Sequence, residues 1–178
     1  DPVKENSSIE ELIRESANFV LRGSNVTCTY SFGHDLLPAE VDRGQISQVI
    51  QNLVLNALQA MPEGGGIEVT AENVAMATEE ISMLKPGKYL KISIKDHGVG
   101  IDRDLHQKIF DPYFTTKEKG SGLGLSIVYS IIKKHNGAIA VESELGVGAI
   151  FTFYLPASDD KAVTGSDAPE KVPRQGKC

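Results

Sequence analysis

The chain has 178 residues, 40% of them hydrophobic, and a net charge of −6. This length suits one globular domain with loosely attached ends, and the acidic balance gives no electrostatic support to nucleic-acid binding. Its two cysteines lack metal-ligand spacing and exclude a disulfide framework, so we expect a reducing, cytoplasmic compartment. No run reaches the roughly 20 apolar residues that span a bilayer, and no signal-peptide pattern follows Asp1. We therefore expect any membrane contact to lie outside this fragment.

Hydrophobic periodicity predicts three main helices and six strands, in the order α-β-β-α-β-β-α-β-β. The helices are predicted at 8–21, 44–61 and 122–135, with a further short helix at 101–110. Ser8 and Asp42 are expected to cap the first two, and Asn136-Gly137 is expected to end the third. The strands are predicted at 26–32, 39–42, 67–74, 89–95, 138–142 and 149–155. The connections 75–88 and 111–121 are expected to be loops. The economical packing is an α+β fold, a two-layer α/β sandwich in which three helices cover one face of a mixed, mostly antiparallel sheet.

The helix predicted at 44–61 carries a stripe of amides beside its apolar face. These amides are Gln45, Gln48, Asn52, Asn56 and Gln59. Asparagine is disfavoured in the middle of a helix because its side chain competes for the backbone. The pair Asn52 and Asn56, one turn apart, therefore indicates a face turned to a ligand. A carboxamide oxygen suits Mg²⁺, which keeps waters and phosphate oxygens as its other ligands. A solvated polar face is the alternative.

A carboxylate follows the apolar strand predicted at 89–95, in the segment Asp96-His97-Gly98-Val99-Gly100. At the end of a strand, with glycines behind it, Asp96 would lie on the floor of a cleft that a flat ring can approach. It would accept a hydrogen bond from an exocyclic amine such as that of adenine. A plain turn capped by the aspartate is the alternative, and His97 is expected to face solvent.

A glycine-rich segment precedes the helix predicted at 122–135, and its sequence at 111–125 is DPYFTTKEKGSGLGL. Glycines let successive backbone N–H groups point at an anion, and the following helix adds its positive N-terminal end. Threonine hydroxyls and lysine ammonium groups supply further donors. The pattern predicts a nucleotide phosphate site that is not a Walker loop, since G-K-[ST] is absent. A glycine-rich turn without a ligand is the alternative.

Four motifs follow one another along the chain: N-x-x-x-N at 52–56, D-x-G-x-G at 96–100, F-D-P-Y-F at 110–114 and G-x-G-L-G-L at 120–125. In this order and spacing, the chain resembles the catalytic ATP-binding domain of sensor histidine kinases, in the GHKL superfamily with its Bergerat-type fold. The resemblance covers roughly 42–156. It implies a linker and first helix of the domain at 1–24 and the catalytic ATP-binding domain at 25–156, while the charged, proline-bearing composition of 157–178 predicts a disordered tail or linker.

The resemblance implies roles for the matching residues. Asn56 would ligate Mg²⁺, Asn52 would help to order the metal and the phosphates, and Asp96 would bind the adenine amine. Together with Lys117, the two asparagines form the expected catalytic set. The residues expected to contact ATP are Asn56, Ala60, Asp96, Gly98, Gly100, Ile101, Thr115, Thr116, Lys117, Gly120, Ser121, Gly122, Leu123, Gly124 and Leu125.

The segment 102–121 corresponds to the mobile lid of the family, and Phe110 and Phe114 are expected to pack and position it rather than to touch the nucleotide. Three residues depart from the family pattern. Gln59 stands where many members have a basic residue, Ala149 stands where Thr or Ser is common, and Asn136 replaces a common Gly. None of these departures is expected to inactivate the domain.

Position 52 separates two chemistries within the superfamily. Its ATP-hydrolysing branches carry a Glu there that activates water, whereas Asn52 has no lone pair able to take a proton at neutral pH. The resemblance therefore implies transfer of the γ-phosphate to a histidine on a separate dimerisation and phosphotransfer domain. None of the four histidines lies in the acceptor context H-E-[IL]-R-[NT]-P. A response-regulator receiver domain is the second expected partner, and a non-catalytic or anti-sigma-type nucleotide-binding module is the alternative function.

Overall fold

A computed structural model of the chain describes residues 1–76, 84–111 and 124–158. In chain order its elements are β1 (Glu5–Ser7), α1 (Ile9–Leu21), β2 (Val26–Phe32), β3 (Ala39–Val41), α2 (Arg43–Ala60), β4 (Gly65–Met76), β5 (Gly87–Lys95), a 3₁₀ turn (Arg103–Leu105), α3 (Gly124–Lys134), β6 (Ala138–Glu144) and β7 (Gly148–Pro156).

The main sheet has five strands in the order β2-β4-β5-β7-β6. The edge strand β2 pairs with β4 in parallel, and the other neighbours are antiparallel. Leu90, Ile92 and Ile94 of β5 are buried, whereas Lys91, Ser93 and Lys95 between and after them are more exposed. The buried side chains join one core with the apolar faces of all three helices. The predicted α+β sandwich is thus confirmed, and alternation along each strand explains which face the helices cover.

Side chains cap the helices at the positions that the sequence indicates. The Ser8 hydroxyl accepts from the N–H of Glu11 at 3.4 Å, and the Asp42 carboxylate accepts from the N–H of Gln45 at 3.1 Å. After α3, Asn136 takes a left-handed backbone with φ of 62°, and the N–H of Gly137 donates to the Ile132 carbonyl at 3.0 Å. This is the expected αL termination of a helix.

Three local predictions are wrong. A full helix was expected at 101–110, but only Arg103–Leu105 is helical, as a 3₁₀ turn followed by further turns. The loop expected at 75–88 is shorter, because β4 runs to Met76 and β5 begins at Gly87, with those two residues paired. The strand β1 was not expected at all, since Glu5-Asn6-Ser7 has no β-branched or aromatic residue; its pairing with β3 draws the N-terminus into the fold.

The chain leaves β7 close to the start of β3. The N–H of Ser158 donates to the Pro38 carbonyl at 2.7 Å, and the N–H of Ala157 donates to the Lys88 carbonyl at 2.9 Å. The rest of the predicted tail lies outside the described residues. Within the described ranges, no helix combines the length and the hydropathy that a membrane crossing requires.

Candidate functional site

The carboxylate of Asp96 lies directly after β5 and is only 3% exposed. Its Oδ1 accepts hydrogen bonds from the backbone N–H of Gly98 at 2.9 Å and from that of Ala149 at 3.3 Å. The N–H of Asp96 in turn donates to the Ala149 carbonyl at 2.9 Å. Both the backbone and the side chain of Asp96 are therefore fixed by the start of β7, which leaves the carboxylate in one orientation.

The glycines around Asp96 are required by close packing of the protein itself. A Cβ added to Gly98 would lie 2.6 Å from the Cβ of Ala60 and would also collide with the Ala60 carbonyl. A Cβ on Gly100 would collide with the Glu144 carbonyl, and one on Gly148 with the Asp96 carbonyl. The sequence suggested that Gly98 and Gly100 give a flat ring access. The structure supplies a different reason for these glycines, and their contact with a nucleotide stays a prediction.

One side of α2 links this buried carboxylate to the start of α3. At one end, the Ala60 carbonyl accepts from the N–H of Val99 at 3.1 Å, which ties the end of α2 to the loop after Asp96. At the other, Asn52 Nδ2 donates to the Gly124 carbonyl at 3.3 Å. Eight residues separate Asn52 from Ala60, which is about 12 Å along a helix.

Asn56 lies between those two anchors, one turn from each. It is half-buried, as are Asn52 and Ala60. The alternative of a solvated face holds for Gln48 and Gln59, which are exposed, whereas Gln45 is half-buried. The middle of the amide stripe therefore lies between the Asp96 loop and α3, which is where a ligand-facing side chain would be needed.

Part of the predicted phosphate loop begins α3. Gly124 is the first residue of that helix, and no described atom outside its neighbours and the backbone of its own helix lies within 4 Å of the position its Cβ would occupy. Leu125 is half-buried against the core. The other predicted phosphate-loop contacts lie outside the described residues: Thr115, Thr116, Lys117, Gly120, Ser121, Gly122 and Leu123.

A serine that the sequence did not single out closes the far side of the site. The N–H of Ile101 donates to Ser143 Oγ at 2.6 Å, and that hydroxyl donates to the Gly148 carbonyl at 2.9 Å. The N–H of Gly146 also donates to the Val99 carbonyl at 2.8 Å. The loop after β5 is thus held against the β6–β7 turn. No local sequence signal distinguishes Ser143 from a solvated strand residue.

The aromatic motif behaves as expected where it is described. The ring centroid of Phe110 lies 5.8 Å from that of Tyr129 on α3 and 6.3 Å from that of Phe151 on β7. These contacts anchor the start of the predicted lid to the core, and they agree with a packing role for Phe110. Phe114 lies outside the described residues.

His97, next to Asp96, pairs with a glutamate on β4. Its Nε2 lies 2.8 Å from Oε2 of Glu68, and both side chains are about half exposed, at 49% and 50%. The hydrogen bond from His97 lowers the pKa of Glu68. The expectation that His97 faces solvent is confirmed, and its pairing points away from the buried Asp96 carboxylate.

A second concave surface lies on the helix-free face of the sheet. It is a pocket of about 240 Å³ lined by Lys91, Ser93, Ala140, Glu142, Ile150, Thr152 and Tyr154. The hydroxyls of Ser93 and Thr152 lie 2.9 Å apart and satisfy each other. None of the predicted site residues lines this pocket.

Residues 41–159 match the family described as Histidine kinase-, DNA gyrase B-, and HSP90-like ATPase. Because the match covers more than half of the chain, the chain belongs to this family of ATPases. Membership in an ATPase family supports ATP as the ligand of the site.

The similar curated proteins are sensor kinases. Sensor kinase CckA of Brucella abortus is 43% identical over 141 residues, which are 76% of this chain and 15% of that protein. Sensor histidine kinase ZraS of Escherichia coli is 37% identical over 153 residues, which are 84% of this chain and 30% of that protein. The chain therefore spans less than a third of either relative. These relatives favour the kinase interpretation over an anti-sigma-type module.

Solved structures show the same relationship. The catalytic domain of the histidine kinase ThkA has a TM-score of 0.70 and 34% identity, covering 86% of this chain and 95% of that one. Full-length ShkA in complex with AMPPNP has a TM-score of 0.73 and 27% identity, covering 92% of this chain and 33% of that one. The resemblance to the ATP-binding domain of sensor histidine kinases is thereby confirmed.

Proposed function

We propose that this domain binds ATP along the described side of α2 and presents its γ-phosphate to a histidine on another domain. This proposal rests on one observation, which is that α2 contacts both ends of the site. It contacts the Asp96 loop at Ala60 and α3 at Asn52. A nucleotide whose base reaches Asp96 would extend past Asn56, and its phosphates would reach the first turn of α3.

The adenine end would be recognised by the buried carboxylate. Since Oδ1 of Asp96 is already occupied by two backbone N–H groups, the exocyclic amine would donate to Oδ2. Burial strengthens such a bond because water competes poorly for the carboxylate. Gly98, Gly100 and Ile101 would contact the base through their backbone.

The phosphate end would use backbone amides at the start of α3, where aligned N–H groups and the helix dipole favour an anion. Gly124 and Leu125 belong to this set, and Thr115, Thr116, Lys117 and residues 120–123 would complete it.

A magnesium ion would fit between these ends. Among the described residues there is no group of three or more His, Cys, Asp or Glu side chains that could hold a metal. By resemblance to the family, an ion here would take Asn56 as its protein ligand and complete its shell with phosphate oxygens and water, as Mg²⁺ commonly does. When bound, it would neutralise charge on the transferring phosphate.

Phosphoryl transfer would need little covalent chemistry from the chain. The acceptor imidazole nitrogen would attack the γ-phosphorus, the bond to the β,γ-bridging oxygen would break with ADP as the leaving group, and the imidazole proton would pass to solvent. Asn52 would orient the site through its bond to Gly124 and would not activate water, because a carboxamide is not a base. Lys117 would offset the negative charge of the phosphates.

The acceptor would be a dimerisation and phosphotransfer domain of the same protein, which would pass the phosphoryl group to a response-regulator receiver domain. Both steps would take place in the cytoplasm. The relatives support this assignment because they are much longer sensor kinases.

Substitution of Gly124 tests the proposed phosphate end without damaging the fold. Gly124→Ala meets no described atom within 4 Å, and alanine favours a helix over glycine by about 1 kcal/mol. We expect an unchanged or higher melting temperature together with a nucleotide affinity about tenfold or more lower. The added methyl group would keep a phosphate from the backbone N–H groups of the first turn, and a charge-assisted hydrogen bond contributes about 1.5–3 kcal/mol.

Isothermal titration calorimetry of this chain with ADP and Mg²⁺ measures the affinity. Gly44→Ala, in the first turn of α2 and away from the site, is the matched control and should bind as the parent does. Equal affinity of the Gly124 variant and the parent would contradict the proposed phosphate position. Lack of ADP binding by the parent chain would contradict the proposed function altogether.

A further inference from the structure

His135, the residue after α3, is a buried imidazole that the proposed chemistry does not use. It is 2% exposed. Its Nε2 lies 3.1 Å from the backbone nitrogen of Asp42, whose N–H must donate, so Nε2 is the acceptor. Its Nδ1 lies 2.9 Å from the Ile131 carbonyl, which can only accept, so Nδ1 carries the proton. Both partners together require the neutral ring in one tautomer.

This imidazole fixes one end of α3, and Asn52 fixes the other. Along α2, the two anchoring positions Asp42 and Asn52 are ten residues apart, or about 15 Å. Along α3, Gly124 and His135 are eleven residues apart, or about 16 Å. The start of α2 meets the end of α3 at one anchor, and Asn52 of α2 meets the start of α3 at the other, so the two helices run antiparallel. The two distances between the anchors, one along each helix, are therefore nearly equal. Between the anchors, α3 buries three apolar side chains: Val128, Ile131 and Ile132.

We propose that His135 is a positioning residue for nucleotide binding: its neutral imidazole holds the end of α3 on the start of α2 and thereby sets where the first turn of α3 lies. This inference rests on the proposed function, which gives that first turn to the phosphates. With the His135 anchor released, a tilt of about 10° about the buried middle of α3 would displace Gly124 by about 1.4 Å. The hydrogen bond between Asn52 and the Gly124 carbonyl is already 3.3 Å long, so a shift of that size would break it.

Protonation would release the anchor. A second proton on Nε2 turns the acceptor for the Asp42 N–H into a donor, so that bond is lost. Burial is the main reason why the pKa of His135 is lowered, and the hydrogen bond to Ile131 opposes it. Two charged groups act on the ring: Lys4, ahead of β1, lowers its pKa further, and the Asp42 carboxylate raises it.

The sign of the resulting pH dependence follows from linkage. The ring is neutral in the folded state, whereas the unfolded chain takes up the proton below its ordinary pKa of 6.5. Stability from the neutral ring is therefore complete above that value and falls as the pH drops towards the lowered folded pKa. If nucleotide binding needs the anchored α3, binding must in turn lower the pKa of His135, because coupling between two sites is reciprocal.

The test is calorimetry of ADP and Mg²⁺ binding at about pH 7.5 and about pH 5, the range over which histidine changes charge. His135→Gln retains an acceptor oxygen for the Asp42 N–H and cannot titrate, so its affinity should fall less on acidification than that of the parent. We expect the excess fall in the parent to be about fivefold or more. His34→Gln, an exposed histidine remote from the site, is the matched control and should behave as the parent.

His97→Gln is a second control, because His97 is next to Asp96 and could also change charge over this pH range. The role of His135 would be overturned if acidification lowered the nucleotide affinity equally in the parent and in His135→Gln. It would also be overturned if the fall in affinity disappeared in His97→Gln and not in His135→Gln. Should His135→Gln not fold, the histidine signals of the parent decide by NMR: the pKa of His135 should be lower with ADP than without, and an unchanged pKa would overturn the inference. Failure of the parent to bind at about pH 7.5 would instead overturn the proposed function itself.

Discussion

Replacement of Asp96 by asparagine tests the proposed adenine contact while keeping the shape of the site. In the parent, Oδ1 accepts from the backbone N–H groups of Gly98 and Ala149, at 2.9 and 3.3 Å. An asparagine would place its oxygen on those two donors, since the opposite rotamer would set its NH₂ against them. Its NH₂ would therefore occupy the position of Oδ2, where an adenine amine would meet a donor instead of an acceptor.

The expected loss follows from that exchange. A hydrogen bond to a charged group contributes about 1.5–3 kcal/mol, so removing it should lower the affinity about 10-fold to 150-fold. Both backbone donors keep an acceptor in the variant, so the loss should fall on the contact with the base. Calorimetry with ADP measures the affinity, and Glu72→Gln on the helix-free face of the sheet is a matched loss of one carboxylate that should bind normally. Unchanged affinity in Asp96→Asn would remove Asp96 from base recognition.

Three further predictions concern the fold, the metal and the tail. Gly98→Ala should lower the free energy of unfolding by about 1–3 kcal/mol, because its Cβ would collide with Ala60. Gly44→Ala is the control and should not lower it, because the nearest atom to its Cβ lies 3.5 Å away. Equal melting temperatures of the two variants would refute the packing argument. Asn56→Ala should weaken binding of the Mg²⁺ complex of ATP and leave metal-free ADP unaffected; equal losses in calorimetry would exclude a metal ligand. Deletion of everything after Ser158 should leave the melting temperature nearly unchanged, and a drop of several degrees would show that the tail packs on the domain.

The strands and helices were largely predictable, because alternation and helical spacing follow from which side chains must be buried. Apolar spacing in α2 and α3 gave their bounds to within about two residues of the observed ones, and Ser8 and Asp42 were recognisable as caps. The order of strands in the sheet was not predictable from local patterns, since the parallel pairing of β2 with β4 joins residues almost forty positions apart.

The site was predictable where a motif carries chemistry and hidden where a contact depends on the fold. Asp96 and the asparagines of α2 stood out because their residue types are unusual in those positions. His135 and Ser143 did not, because their partners, the Asp42 N–H and the Ile101 N–H, are backbone groups distant in sequence. The packing reason for Gly98 was hidden for the same cause: only the folded chain brings Ala60 against it.

We propose above all that one nucleotide site runs along α2, from Asp96 to the first turn of α3. Backbone and asparagine side-chain NMR signals, followed while a non-hydrolysable ATP analogue with Mg²⁺ is added, test it directly. We expect saturable shifts at Gly98, at the Asn56 side chain and at Gly124, with none at Ser93 or Thr152 in the pocket on the opposite face of the sheet. Saturable shifts confined to that pocket, or at only one end of α2, would contradict it.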